Sequence, residues 1–249
     1  MNKLLLRSRQ LAAVTWKNVR VYYTEPPVLI FGLFFPFFLF LAFAFGRGSG
    51  PAELMPAFLG ITLFFTGSSV GPFITPWETR TRTLERLLTS PAPFSLLILG
   101  DVLAGFIFGL ALSLLIVTGG FFFLGVQPGS ILTLLLALLP GSFCFAALGS
   151  LFSALPTDKP ANVMMLSNIV RLPLIFLSGV FMPLADLPGG LRFLALFSPL
   201  TYTVDLLDLT YSNTSYLNPF LALLMSCLFT LTILAGALTW HKRSLLTRL

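Results

Sequence analysis

Long apolar runs, interrupted only by short charged connections, set the first constraint on this chain. The segment FGLFFPFFLFLAFAF (31–45) has no polar face to turn toward water, and other runs of the same kind follow. A helix crossing a bilayer needs about 20 mostly apolar residues. Six stretches qualify: Val28–Phe45, Ala57–Pro76, Leu97–Leu124, Ile131–Leu155, Ala161–Leu184 and Leu217–Trp240, the third either starting nearer Val102 or tilting. Only 10% of residues are charged and mean hydropathy is +0.93, whereas an ordinary soluble domain carries roughly 25% charge. The expected fold class is an all-α integral membrane protein with six transmembrane helices, residues 1–249 forming a single transmembrane domain.

The positions of the basic residues orient these spans. Lys3, Arg7, Arg9, Lys17 and Arg20 precede the first span. Arg80, Arg82 and Arg86 follow the second, Lys159 follows the fourth, and Lys242, Arg243 and Arg248 close the chain. Arg47 and Arg192 fall on the other side, and Arg171 lies within a span. The positive-inside rule therefore places both termini in the cytoplasm. Charge divided in this way reports topology, so the net +6 does not point to nucleic acid. Lys17 breaks the apolar run after Arg9 too early for a cleavable signal peptide. Cys144 and Cys227 sit in apolar runs and His241 is the lone histidine, so neither a disulfide framework nor a metal site is expected.

Three segments outside the spans carry patterns of their own. In residues 1–25, Leu11, Thr15, Trp16, Val19, Tyr22 and Tyr23 recur at helical spacing opposite the basic residues, as in a helix lying at the inner membrane surface. Such an arm either anchors the topology or moves with the first span. The loop ETRTRTLERLLTSPAP (78–93) predicts a helix over 78–89, with Glu78 and Arg82 as an i, i+4 pair, Leu84, Leu87 and Leu88 on one face, and Pro91 and Pro93 as the stop. It is either a solvated helix with self-paired charges or one whose leucines seek a groove on a partner. Residues 185–216 are too apolar for an exposed loop and too broken at Pro199 to span. They predict two short helices re-entering the outer leaflet, with Asp186, Asp205 and Asp208 at the outer surface.

Few residues suggest chemistry. Arg171, in mid-span, is costly there and so a functional candidate; it contacts substrate, pairs across a dimer, snorkels, or is satisfied by carbonyls that Pro173 frees. Gly67-Ser68-Ser69-Val70-Gly71 fits a hydrolase pattern, but within a span it reads better, like Gly105 and Gly109, as a close helix-packing site. The phenylalanines of 31–45 either form a slot for flat amphipathic molecules or face lipid and neighbouring helices. No GxxxxGK[ST] motif occurs, so no phosphate cradle is expected in this chain.

Three segments carry a family resemblance: TLERLLTSPAP, LPLIFLSGVFMPLADLP and SPLTYTVDLLD. Together they resemble the ABC-2 type transporter permeases, the drug- and polysaccharide-export branch of ATP-binding-cassette exporters. The resemblance implies a multi-pass subunit of a prokaryotic cytoplasmic membrane that dimerises, with itself or a close paralogue, and binds two copies of a cytoplasmic ABC ATPase. That ATPase would hold ATP and Mg, this chain binding no cofactor and being no enzyme itself. It further implies that Glu78, Arg80, Arg82, Leu84, Glu85, Arg86 and Leu87 form a coupling helix against the ATPase, with Asp158 and Lys159 a second contact. Leu174, Phe176, Leu177 and Phe181 would then plug the pathway beyond Arg171, while Pro199, Tyr202 and Asp205 belong to the outer re-entrant segment. The expected cargo is amphipathic, drug-like or lipid-like, and moves outward. A passive channel or secondary transporter without ATP coupling is the alternative.

Overall fold

The computed structural model describes residues 3–45 and 50–245; Arg47 and Arg248 lie outside them. Every regular element among the described residues is helical. The N-terminal arm is α1 (Lys3–Tyr22), after which the chain turns by 88°. α2 (Pro26–Leu29), a π turn (Ile30–Phe34) and α3 (Phe35–Phe45) then form one continuous helix. Pro36 has no N–H to give and crowds the preceding turn, and the wider π turn absorbs both defects.

The second expected span is α4 (Pro51–Gly67) followed by α5 (Gly71–Arg80), broken at residues 68–70. Next come the short α6 (Thr83–Leu88), then α7 (Phe94–Leu124), α8 (Ile131–Ser153) and α9 (Pro160–Leu177). A 3-10 turn (Leu184–Asp186) leads to α10 (Gly189–Ala195), α11 (Pro199–Ser212) and α12 (Pro219–Leu245). Among the described residues, five stretches are individually long and apolar enough to cross a membrane: α4–α5, α7, α8, α9 and α12. The α2–α3 helix qualifies only together with α1. Counting that bent pair and the pair α10 and α11, inclined at 97°, gives up to seven.

Prolines start α2, α4, α9 and α11, where the missing N–H costs nothing. Ser130 caps α8 through the Thr133 N–H at 3.3 Å. The α4–α5 span runs through the middle of the bundle and is almost wholly buried. Its Leu59, Ile61, Phe64 and Phe65 pack with Leu138 and Phe145 of α8 and Leu200 and Leu207 of α11. α11 is thus a central core element, one of the two short helices expected over 185–216.

Hydrogen bonds and ring contacts sort the loops into two ends. α1 meets the end of α5 and the start of α7, and His241 of α12 bonds Ser150 and Ser153 of α8 and lies 6.3 Å from the Phe94 ring. At the other end Gly129 N–H donates to Thr210 O at 2.7 Å, and Thr210 bonds Thr133. The arm, the 78–93 loop and the C-terminal helix end therefore gather together, the grouping that the basic residues give.

Several expected boundaries shift. α7 starts at Phe94, ahead of Leu97. α9 stops at Leu177 rather than Leu184, because Gly179 takes a left-handed φ of 87° and turns the chain. The helix expected over 78–89 is two pieces. α5 runs on to Arg80, Arg82 adopts φ 56°, and α6 spans only Thr83–Leu88. Thr81 Oγ1 donates to Trp77 O at 2.9 Å and Thr83 Oγ1 to Glu78 O at 3.4 Å. Trp77 O also accepts the Thr81 N–H at 2.9 Å, so the Thr81 hydroxyl adds a second bond there, while the Thr83 hydroxyl caps Glu78 O as α5 ends.

Candidate functional site

α1 is held against the bundle by its polar side chains. Thr15, Asn18 and Tyr22 recur at three- and four-residue spacing, and all three are buried. Asn18 Nδ2 donates to Asp101 Oδ1 at 2.7 Å, and Tyr23 OH donates to Ala104 O at 2.6 Å. Lys17 pairs with Glu78, and Tyr22 OH donates to the same carboxylate oxygen at 3.3 Å. Burial, then the Glu78 carboxylate, push the Tyr22 phenol upward, which keeps it a donor. Gly100 makes the close approach possible, since a Cβ there would stand 2.5 Å from Val14 Cγ1.

This arrangement corrects the reading of the loop. Glu78 is 4% exposed and turned inward to Lys17, not outward to Arg82, so it presents nothing to a docking protein. Leu84 is also buried in its own chain. Arg80, Arg82, Glu85 and Arg86 are exposed, with Leu87 and Leu88 half-buried beside them. Asp158 and Lys159 are exposed as well.

Arg80 and Lys159 also line one cavity of about 970 Å³ between α2, α5 and α9. Its walls are mostly apolar, with Phe31, Phe73, Trp77 and Met164, and Asn162, Asn168 and Asp158 supply further polar groups. The Arg80 guanidinium lies 5.8 Å from the Trp77 ring, a distance at which the cation gains from the ring face.

Above this cavity the α4–α5 break is clamped by Arg171. Its guanidinium is fully buried and donates to the Ser68 carbonyl at the α4 terminus and to Asn168 Oδ1 at 3.4 Å, and it lies 6.0 Å from the Phe152 ring. A cation at a helix C-terminus meets carbonyls with no intrahelical donor. Of the alternatives open for Arg171, carbonyl satisfaction is observed, but the carbonyl belongs to the broken neighbouring span and not to the turn at Pro173. The GxSxG-like run is the break itself. A Cβ on Gly71 would stand 2.4 Å from the Gly149 carbonyl carbon, and one on Gly105 would stand 2.7 Å from Gly67 O. These glycines serve close helix crossing, as expected.

A family model described as ABC-2 type transporter matches residues 9–211. The chain belongs to the ABC-2 type transporter family. No curated protein matches it. Membership makes this chain a multi-pass membrane permease, and it implies partnership with an ABC ATPase.

In this permease Phe176 and Phe181 stack at 4.8 Å across the turn that ends α9, with Leu174 and Leu177 half-buried nearby. Phe176 is itself exposed. The four are therefore neighbours in the fold, at the opposite end of α9 from Lys159. The segment 185–216 departs from expectation at Asp205, which is not at a surface. It is 3% exposed and accepts from Ser215 Oγ and Tyr216 N at 2.7 Å each and from Leu217 N at 3.3 Å, tying the α11–α12 loop. Pro199 opens α11, and Tyr202 OH donates to Leu196 O at 2.8 Å, bracing the bend between α10 and α11. Sequence reasoning missed the roles of Asn18 and Ser68. Asn18 had a signal, a polar residue three after Thr15 and four before Tyr22 on the stripe; Ser68 had none, because its backbone oxygen does the work.

Proposed function

We propose that this chain is the transmembrane subunit of an ABC exporter. Two permease subunits, identical or close paralogues, pair with two cytoplasmic ATPase subunits in a prokaryotic plasma membrane. ATP and Mg act on the ATPase, and this chain acts as a single transmembrane domain, not as an enzyme. The cargo is an amphipathic, largely apolar molecule that leaves the cell. Within this reading α6 with the adjacent turn is the docking element, and Arg80, Arg82, Glu85, Arg86 and Leu87 are its contacts. Asp158 and Lys159 make the second contact, and both termini lie inside.

The observation that carries the reading is the mostly apolar cavity of about 970 Å³ whose rim holds both cytoplasmic contact regions, Arg80 and Asp158–Lys159. A pocket of that size suits a drug-sized or lipid-sized molecule. Movement of the docking turn passes directly into α5, because Arg80 is its last residue. From there the Ser68–Val70 break and its Arg171 clamp pass the movement to α9, at whose far end Leu174, Phe176, Leu177 and Phe181 form an apolar gate. α10 and α11 re-enter the outer leaflet beside that gate.

The test is affinity purification from the native membrane in mild detergent, comparing wild type with Glu85→Arg/Leu87→Asp. The expected result is a soluble ATPase at stoichiometric yield that the double variant loses. Transport that persists without ATP, with no ATPase recovered even after crosslinking, would overturn the reading. Ala at both Phe176 and Leu177 is expected to alter transport or substrate-stimulated ATPase activity; no change in either removes the gate.

A further inference from the structure

A groove runs along one face of α12, separate from the cavity at Arg80 and sharing no residue with it. Its larger part, about 360 Å³, lies between Leu148 and Leu151 of α8, Leu174 of α9, the α10–α11 bend at Phe197, and Phe229 and Ile233 of α12. A second part, about 280 Å³, is lined by Thr239, Trp240 and Arg243. Gly236 lines both parts and joins them. A Cβ there would meet only Leu151 Cδ1, at 3.7 Å, so the passage is open. At about 100° per residue, positions 229, 232, 233, 236, 239, 240 and 243 fall within about one third of the helix circumference.

The two ends of the groove differ in chemistry. Around Phe229 and Ile233 the wall is hydrocarbon, and the hydroxyls along it need no partner. Thr232 Oγ1 donates to Leu228 O and Thr239 Oγ1 to Ala235 O, both at 2.9 Å. Trp240 and Arg243 stand at the end of α12 that also holds His241, and both are exposed. No acidic residue follows Asp208 in the sequence, and among the described residues Arg243 enters no ion pair. The stretch from Phe229 to Arg243 rises about 21 Å at 1.5 Å per residue. One leaflet of hydrocarbon is about 15 Å thick, so with Arg243 at headgroup depth the groove reaches the bilayer midplane. Tryptophan is enriched at headgroup depth, and a guanidinium is a bidentate donor matched to phosphate.

We propose that this groove binds one anionic phospholipid per chain. The phosphate pairs with Arg243, and the ester region lies against Trp240. One acyl chain passes Gly236 to rest between Leu151, Ile233 and Phe229. A hydrocarbon without a headgroup gains nothing from Arg243, and a free phosphate gains nothing from the apolar length. The occupant bridges α12 to α8 and α9 and is not the cargo.

Native mass spectrometry of the full permease, titrated in detergent with palmitoyl-oleoyl phosphatidylglycerol or phosphatidylcholine, tests this. Phosphatidylglycerol is expected to fill one saturable site per chain, about fivefold tighter than phosphatidylcholine, whose phosphate carries its own cation. Arg243→Gln should erase that preference, and Arg243→Lys should restore part of it. Lys242→Gln removes the same charge about 100° round the helix and should leave the preference intact. Gly236→Leu should weaken both lipids together by filling the passage. Thr232→Phe, at an exposed position of the groove, is the second block should that variant not fold. Equal losses in Arg243→Gln and Lys242→Gln would mean that charge alone attracts the lipid, and the proposal fails. It also fails if neither block lowers binding, or if wild type binds the two lipids equally.

Discussion

Replacing Lys17 by Met tests whether the arm is bound to the bundle through Glu78. Glu78 is 5% exposed at its side chain and Lys17 is 33% exposed. Removing one member of a buried pair strands the other charge, at about 3–5 kcal/mol. Here the cation is one-third in water, which screens the pair, and Tyr22 OH still donates to the stranded carboxylate. Lys17→Met is therefore expected to cost about 2 kcal/mol. Glu78→Gln should cost under about 1 kcal/mol, because it removes the buried charge and Lys17 can turn to water. The double variant should resemble Glu78→Gln, giving a coupling energy of about 2 kcal/mol, the whole cost of Lys17→Met. Unfolding by sodium dodecyl sulfate titration in mixed micelles, across the four proteins, measures it. Costs that add within about 0.5 kcal/mol would show that the two side chains do not interact, and the account of the arm would fall with them.

Three further outcomes follow from the geometry. Gly71→Ala is expected to destabilise by about 1–3 kcal/mol, since its Cβ must displace the Gly149 backbone, whereas Gly119→Ala should melt at or above the wild-type midpoint. Asp205→Ala removes the acceptor for Ser215, Tyr216 and Leu217, so proteolysis in the 213–218 loop should accelerate several-fold while digestion elsewhere is unchanged. Arg171→Met frees the Ser68 carbonyl but also relieves a buried charge, terms of about 1–3 and 2.5–3.5 kcal/mol that nearly cancel. Its melting midpoint should stay close to wild type while substrate-stimulated ATPase activity falls, and a normal stimulation would remove the clamp from the coupling route.

The long apolar helices were legible because lipid leaves a chain few options, and apolar length is a strong signal. Ile131–Leu155 was found almost to the residue as α8. Boundaries failed where one backbone dihedral decides them, as at Gly179 and Arg82, since a glycine inside an apolar run also reads as a close helix-packing site and arginine is a good helix former. Glu78 failed for a different reason. Its i, i+4 partner Arg82 was visible locally, but Lys17, 61 positions away, won it through tertiary packing. Arg171 was flagged correctly as unusual, yet its partner is a backbone oxygen, and no side-chain pattern marks which carbonyl a broken helix leaves free. Asp205 was assigned to a surface on charge alone, though a carboxylate can be buried when backbone N–H groups surround it.

The Arg171–Ser68 contact also bears on how the chain is assembled during synthesis. α9 is the shortest of the five free-standing spans, and its mean hydropathy of 1.4 compares with 2.4 for α7. An arginine near the middle of such a helix penalises its partitioning from the translocon by about 2.5–3.5 kcal/mol. The oxygen that receives the guanidinium is made 103 residues earlier, so it has left the ribosome and entered the bilayer before α9 emerges. The first half of the permease thus acts as a template for the second: α9 presented alone should slip through the translocon far more often than α9 following its own α4–α5.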